Sequence, residues 1–393
     1  MANNKNFFYL SLIGFFGIFS TTISKNPVLP LFVHAMNGSD SLLGAISAIS
    51  PFAGICLSFP VGYYSDILGR RKLLLIAASF FLIIPLLYLI VNSPGWLIPI
   101  RFLHGFATAI LNPVGLAIIM AGYPESKGEK LGTYSSITLV GRTIAPALGG
   151  FIIGALAGMG GMWNYKFVYI AAFICALPVI AGALLYKDPP AQVEMQKPTI
   201  GGLLASFKEV FADLRLLSTG TAELATYFAF GVTETFVPIY ATALGISAAK
   251  IGIIFSLQIL SIAITKPFFG KLADRIDKRM QILIGLVCLG LSIGIMPYFS
   301  NYYAITAVSV LFGVGMSFCT VATTTYAAET AKAENLGAAV GALSSIMDIG
   351  HSGGPLVAGI IITAISLKAG FIACAALCSA AFVFFLVANS KNS

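Results

Sequence analysis

Apolar residues run in long blocks separated by short polar breaks. A helix that crosses a bilayer needs about 20 predominantly apolar residues. About twelve blocks meet that length, and their limits predict helices at 7–35, 41–64, 73–92, 96–122, 131–158, 164–186, 216–243, 248–270, 281–299, 303–327, 336–365 and 368–389, here spans 1 to 12. The first block, "FFYLSLIGFFGIFSTTIS", is too long for a signal peptide and lacks a small-residue cleavage site. It also runs on through "KNPVLPLFV", so it reads as span 1. The expected fold class is an all-α membrane protein of 12 transmembrane helices.

The pattern repeats. Shifted by 208 residues, the sequence aligns with itself: "VLPLF" (28–32) on "FVPIY" (236–240), Gly44 on Gly252, Gly62 on Gly270, Asp66 on Asp274, Arg71 on Arg279 and Gly105 on Gly313. That register predicts two pseudo-symmetric six-helix halves in parallel orientation, 1–186 and 216–393, a plan associated with transporters that rock about a central site. The stretch between them, 187–215, opens with prolines and charges and then turns amphipathic. Leu203, Leu204, Phe207, Val210, Phe211 and Leu214 fall at helical spacing, which predicts a cytoplasmic linker carrying an interfacial helix.

Composition agrees with burial in lipid. The chain is 58% hydrophobic and 10% charged, against about 25% charged in soluble domains. All six cysteines (56, 175, 288, 319, 374 and 378) lie inside apolar blocks without zinc-like spacing. Cys374 and Cys378 share a helix face and read as small buried apolar residues. The net charge of +8 raises the question of a nucleic-acid partner, and its distribution answers it. Lys166, Lys250 and Lys368 fall on one side of the predicted membrane. Lys25, Arg101, Arg142 and Lys266 lie within or at the edge of spans, and every other Lys and Arg falls on the opposite side with both termini. That asymmetry follows the positive-inside rule, so both termini are expected in the cytoplasm and the basic charge is an orientation signal facing membrane lipid. No phosphate-cradling loop, metal cluster or nucleophile constellation is present in the sequence. An enzyme, an ATP-driven pump, a resident metal and a cofactor are therefore not expected.

Two polar knots interrupt the apolar blocks: "GYYSDILGRRK" (62–72) and a blurred copy, "GKLADRIDKRM" (270–280). Gly62 permits close helix approach and Gly69 suits a turn. Arg70, Arg71 and Lys72 face the cytoplasm, and Asp66 sits at the membrane edge, where an arginine or a helix N-terminus can pair with it. A topology signal plus a turn accounts for the bases but not for the G-x-x-x-D-x-x-G frame. That frame resembles the loop motif of the major facilitator superfamily. The resemblance implies a conformational latch to the opposite half, made by Gly62, Asp66, Gly69, Arg70 and Arg71, with Gly270, Asp274 and Arg279 in a degenerate copy where Asp277 replaces the second glycine. "RFLHGFATA" is similar to the family's R-x-x-x-G signature at Arg101 and Gly105. "GRTIAPALGG" is similar to the G-x-x-x-G-P-x-x-G-G pattern of its drug–proton antiporters at Gly141, Pro146, Gly149 and Gly150, with Ala145 in place of a glycine. "GHSGGPLVAG" in span 11 is a looser echo. Each stretch also reads as a kinked, closely packed helix interface.

Ionisable residues within spans are costly and mark candidate function. The first half holds Lys25, Arg101 and Arg142; the second holds Glu223 and Glu234 on span 7 and Asp348 on span 11. The resemblance implies that spans 1, 4, 7 and 10 line the cavity, placing Lys25, Arg101, Glu223 and Glu234 near the path. Glu223 and Glu234 lie about three turns and roughly 16 Å apart on one helix face. In the repeat Glu234 falls on Asn26, beside Lys25. A Lys25–Glu234 contact is expected either as a proton-coupling device or as a permanent ion pair. Arg142 calls for a partner such as Asp348, Glu234 or an anionic substrate. Asp348 and His351, at i and i+3, form a proton relay or a packing pair. His104 reads as a satisfied core histidine, and Lys266 as a snorkelling lysine.

The leading functional expectation is a monomeric secondary transporter of a bacterial or archaeal inner or plasma membrane, exporting a small amphipathic organic molecule against protons. Drug exporters of the resembled family commonly carry an acid in span 1 or 4, and this sequence has none. An organic-anion or metabolite carrier using Lys25, Arg101 and Arg142, not coupled to protons, is therefore the alternative. A membrane sensor that binds solute without moving it is the reading from another class.

Overall fold

A computed structural model describes residues 2–123, 125–188, 213–273, 275–330 and 336–390, with the side chains of 2–4, 58–59, 62–68 and 336–340 excepted. Among these residues every regular element is helical: α1 (Ala2–Ile23), α2 (Val28–Ala35), α3 (Asp40–Leu68), α4 (Arg70–Leu89), α5 (Leu97–Gly122), α6 (Lys127–Ala155), α7 (Trp163–Leu185), α8 (Leu214–Ala243), α9 (Ala248–Ala273), α10 (Lys278–Ile295), α11 (Tyr302–Thr330), α12 (Leu336–Ala364) and α13 (Leu367–Ser390), with two short 3₁₀ turns before α5 and α11. The linker expected at 187–215 lies outside the described residues over 189–212, as does Asp274.

Two of the twelve expected spans differ in detail. Span 1 is two helices, because Pro27 has no N–H to continue the ladder and the chain turns at Ser24–Pro27 before α2 starts. Among the described residues eleven segments are long and apolar enough to cross a bilayer, and span 7 is the exception. Its helix, α8, has 30 residues, but Glu223, Glu234 and a series of threonines lower its hydropathy. Most of α8 is nevertheless buried. A helix enclosed by other helices can carry polar groups that a lipid-facing helix cannot.

The chain forms two compact units, and the division falls inside two helices. One unit comprises 1–38, 52–198 and 248–256; the other comprises 39–51, 199–247 and 257–393. In the first unit α1 packs on α6 and α7, and α4 on α5 and α7. In the second, α8 packs on α12 and α13, and α10 on α11 and α13, which is the same arrangement made from the second copy of the repeat. Leu10, Leu74, Phe81, Leu111, Ile118 and Val179 close the first unit's core. Outward residues such as Phe151, Ile264 and Phe268 are more than 60% exposed, as lipid contact requires. Lipid tails are as apolar as leucine, so close packing rather than water exclusion drives association of such helices, and small residues set how close they come.

The repeat places glycines where backbones touch. In the second unit Gly44 of α3 lies against the Pro355 carbonyl and Gly359 of α12. In the first unit its repeat partner, Gly252 of α9, lies against the Pro146 carbonyl of α6. A Cβ at either position would overlap that carbonyl oxygen. Gly270, by contrast, has no atom of the described residues within 4 Å of where its Cβ would stand, so close approach to them is not its role.

Candidate functional site

The α8–α12 seam of the second unit gathers the acids and the histidine. Gly231 of α8 faces the His351 carbonyl, and a Cβ there would stand 2.7 Å from that oxygen and 2.8 Å from Pro355 Cδ. Gly350 and Gly354 of α12 press against the Leu224 and Phe228 carbonyls of α8. Pro355 lacks the N–H that would bond the carbonyl four residues earlier, which is that of His351. Proline thus loosens the ladder at the histidine, and glycine lets the partner helix reach it. There His351 Nε2 lies 2.9 Å from Glu234 Oε2, with side chains 18% and 8% exposed. The rings of Phe230 and Tyr227 flank the imidazole, at centroid distances of 5.4 and 6.4 Å.

Glu223 lies about three turns before Glu234 on α8 and is held differently. It accepts a 2.6 Å hydrogen bond from Thr323 Oγ1 of α11. Thr226 reaches the Cys319 thiol at 3.3 Å, and Asn389 Nδ2 donates to the Ser218 hydroxyl at 3.1 Å. A polar column therefore descends α8 toward its start. Asp348 lies three residues before His351 on α12 and is half-buried. Of the expected Asp348–His351 pair, it is His351 that meets Glu234. Thr226, Thr323, Tyr227 and Phe230 do not stand out in the sequence, since only the fold puts them beside the acids.

The span cations Lys25, Arg101 and Arg142 belong to the first unit. Arg101 of α5 is 1% exposed, in a nest with Tyr88 of α4, His104 and Tyr169 of α7. The Tyr88 hydroxyl lies 3.3 Å from His104 Nδ1, and Tyr88 stacks on Tyr169 at 4.2 Å. Arg101 Nε and Nη1 and His104 Nε2 have no hydrogen-bond partner among the described residues. His104, expected to be satisfied, has one bonded nitrogen of two. Lys25 is half-buried in the turn between α1 and α2, and Arg142 is exposed on α6. Their candidate partners Glu234 and Asp348 belong to the second unit.

The α6 motif repeats the α12 design. Gly141 approaches the Phe15 carbonyl of α1, Gly149 packs against Val28 and Ile23, and Gly150 meets the Ala248 carbonyl of α9. Aligned with a shift of 209, "GRTIAPALGG" and "GHSGGPLVAG" pair Gly141 with Gly350, Pro146 with Pro355, Gly150 with Gly359 and Arg142 with His351. That offset by one from the register of the rest is the sequence signal that marks His351 as an equivalent of Arg142.

The two knots build the same helix start by different means. The turn between α3 and α4 is the single residue Gly69, at φ +84°. Gly69 has no capping side chain, and Asp188, after α7, supplies a carboxylate that accepts from Arg71 N at 3.1 and 3.2 Å. In the second copy Asp277 occupies the glycine's place and caps α10 directly, accepting from Arg279 N at 2.9 Å. Arg71 donates to the Leu184 carbonyl at 2.8 Å, and Arg279 lies 3.5 Å from the Asn389 carbonyl, each at the end of its own unit's last helix. Arg70 also has a partner within the structure. The Gly62 and Asp66 side-chain positions lie outside the described residues.

The sequence matches the Major Facilitator Superfamily over residues 10–240 and 219–393. Similar proteins include a multidrug resistance efflux pump PmrA homolog of Lactococcus lactis, 25% identical, covering 94% of this chain and 92% of that one. Multidrug resistance protein 1 of Bacillus subtilis is also 25% identical, covering 85% and 84%. Among solved structures, a bacterial homolog of the human lysosomal transporter Spinster superposes with a TM-score of 0.80 at 16% identity, over 99% of this chain and 96% of that one. The nucleoside transporter NupG gives 0.76 at 13% identity, over 98% of each chain. At those identities the structural likeness concerns the fold alone. Sequence match, helical repeat and superposition agree: this chain is a multi-pass membrane protein of the major facilitator superfamily, with relatives in its multidrug-efflux branch.

Proposed function

We propose that the chain exports a small amphipathic organic solute across the inner or plasma membrane by proton antiport, with alternating access. Both termini are then cytoplasmic and one chain suffices. The observation that carries the coupling is the Glu234–His351 contact of 2.9 Å at a buried seam between two helices. A carboxylate and an imidazole at that distance share a proton. A buried carboxylate separated from its partner is costly while charged, so proton uptake accompanies opening of the pair. Lys25 is the second cation assigned to Glu234 in the cycle, and Glu223, Asp348 and Arg142 are assigned to the same path. Gly62, Asp66, Gly69, Arg70 and Arg71, with Gly270, Asp274 and Arg279, act as the gate's latches. The names of the efflux relatives support an amphipathic drug-like cargo.

The test is efflux of a fluorescent lipophilic cation from cells expressing the chain, with and without a protonophore. Wild type empties the cells and the protonophore stops it; Glu234→Gln and His351→Asn retain the dye. Efflux that survives both the protonophore and Glu234→Gln contradicts the reading.

One observation favours a carrier of organic anions instead. Arg101 keeps two unbonded guanidinium nitrogens in a nest that contains no acid among the described residues. Such a carrier requires Arg101 to be uncovered during transport, and Arg101→Gln then abolishes uptake of an anionic probe while Glu234→Gln does not.

A further inference from the structure

The second unit contains a cavity of which the transport reading uses only Arg279, as a latch residue. It has a volume of about 370 Å³ and is lined by Arg215, Asp277, Lys278, Arg279, Tyr326, Glu329 and Asn389. These residues come from the start of α8, the start of α10 and the ends of α11 and α13. The positive-inside distribution assigns this end of the unit to the cytoplasm.

Three cations face two carboxylates, and the carboxylates are already engaged. Arg279 Nη2 pairs with Asp277 at 2.9 Å, and Lys278 Nζ with Glu329 at 3.0 Å. Asn389 Oδ1 accepts from the Tyr326 hydroxyl at 2.7 Å, so the polar wall is fixed in place. Arg215 remains: its backbone N–H bonds the Asp213 cap at 2.8 Å. Its guanidinium has no ion pair among the described residues. A guanidinium beside two further cations, in a pre-formed polar cavity, matches a tetrahedral anion, which it can bind through two parallel N–H bonds. The neighbours in sequence of these cations are exposed apolar residues: Leu214 is 51% and Met280 59% exposed. Basic pockets at the cytoplasmic ends of spanning helices suit phospholipid headgroups.

We propose that this cavity binds a phosphate group, held by Arg215 with Lys278 and Arg279, independently of the proton-coupled path. The group belongs either to an anionic phospholipid or to a free phosphate. The ligand ties the start of α8, the polar helix, to the start of α10.

The full-length protein is tested in two arms. In nanodiscs of phosphatidylcholine with or without phosphatidylglycerol, native mass spectrometry counts retained lipid. In detergent, thermal unfolding is followed against inorganic phosphate, with chloride at equal ionic strength. Wild type retains phosphatidylglycerol preferentially, and Arg215→Gln weakens retention about tenfold, the order expected for loss of a charge-assisted bond. Arg215→Lys, which keeps the charge but not the fork, is intermediate. Lys166→Gln, a cation change in the first unit, leaves retention unchanged. Stabilisation by inorganic phosphate that Arg215→Gln removes identifies a free phosphate as the source; its absence beside lipid retention identifies the headgroup. Arg215 lies exposed at a helix start, and melting without added anion verifies that its variants fold. The proposal is overturned if Arg215→Gln and Lys166→Gln alter retention equally, or if neither ligand is bound above its control.

Discussion

Asp277 and Asp188 show how one helix start is capped twice in different ways. Gly69 leaves α4 without a cap of its own, and Asp188 reaches in from the end of α7; Asp277 caps α10 from the equivalent position. An N-cap is worth about 1 kcal/mol, so Asp188→Ala is expected to lower stability by that order in thermal unfolding, although the residue is exposed and far from α4 in sequence. The replacement of the glycine by Asp277 in the repeat is legible in the sequence; its consequence is not, because Asp188 is remote in the chain. The hydrogen bond from the Arg279 guanidinium holds the Asp277 carboxyl below its ordinary value. A carboxyl depressed in the folded state stabilises it above the unfolded pKa and loses that contribution as pH falls through the folded one. Asp277→Asn, which keeps a capping oxygen, is therefore expected to melt below wild type at neutral pH and to match it in strong acid. A difference that persists unchanged in acid contradicts the assignment.

At the scale of the element, the α8–α12 seam depends on backbone contact. Gly350 and Gly354 leave no room for a side chain against α8. Gly354→Val forces the helices apart, at a cost of about 1–3 kcal/mol for overpacking, and weakens the Glu234–His351 contact that the seam supports. Gly270→Ala, with open space around it, costs nothing and gains up to about 1 kcal/mol of helix propensity. Melting the two variants side by side checks the contrast; equal losses contradict it. The glycine–proline run of α12 is readable in the sequence as a close interface, but not the helix it meets. The low hydropathy of α8 comes from groups satisfied within the protein rather than by water: Glu223 and Glu234 meet α11 and α12, and the threonines bond carbonyls of α8 itself. Period and composition report the face a helix turns to lipid, while its buried face depends on neighbours that no single stretch specifies.

Across the whole molecule, the 208-residue repeat anticipates the parallel packing within the two units, because equivalent residues make equivalent contacts in each. It does not anticipate that 39–51 and 248–256 pack away from the halves that contain them in sequence. The glycines that enable this, Gly44 and Gly252, stand out in the sequence only as aligned positions. Chemistry is divided between the units as the sequence suggests, with the acids and His351 in one and Lys25, Arg101 and Arg142 in the other. The shift of 209 between the α6 and α12 motifs pairs Arg142 with His351, so an arginine in one unit corresponds to a histidine in the other. The proposed proton coupling rests on the pair of Glu234 and His351. The most direct measurement is proton movement across liposomes that contain the purified protein and an enclosed pH dye, on addition of a lipophilic cation. Cation-dependent proton flux is expected in wild type, and Glu234→Gln and His351→Asn are expected to abolish it. Cation flux without proton movement in wild type, or proton flux that both variants preserve, contradicts coupling at this pair.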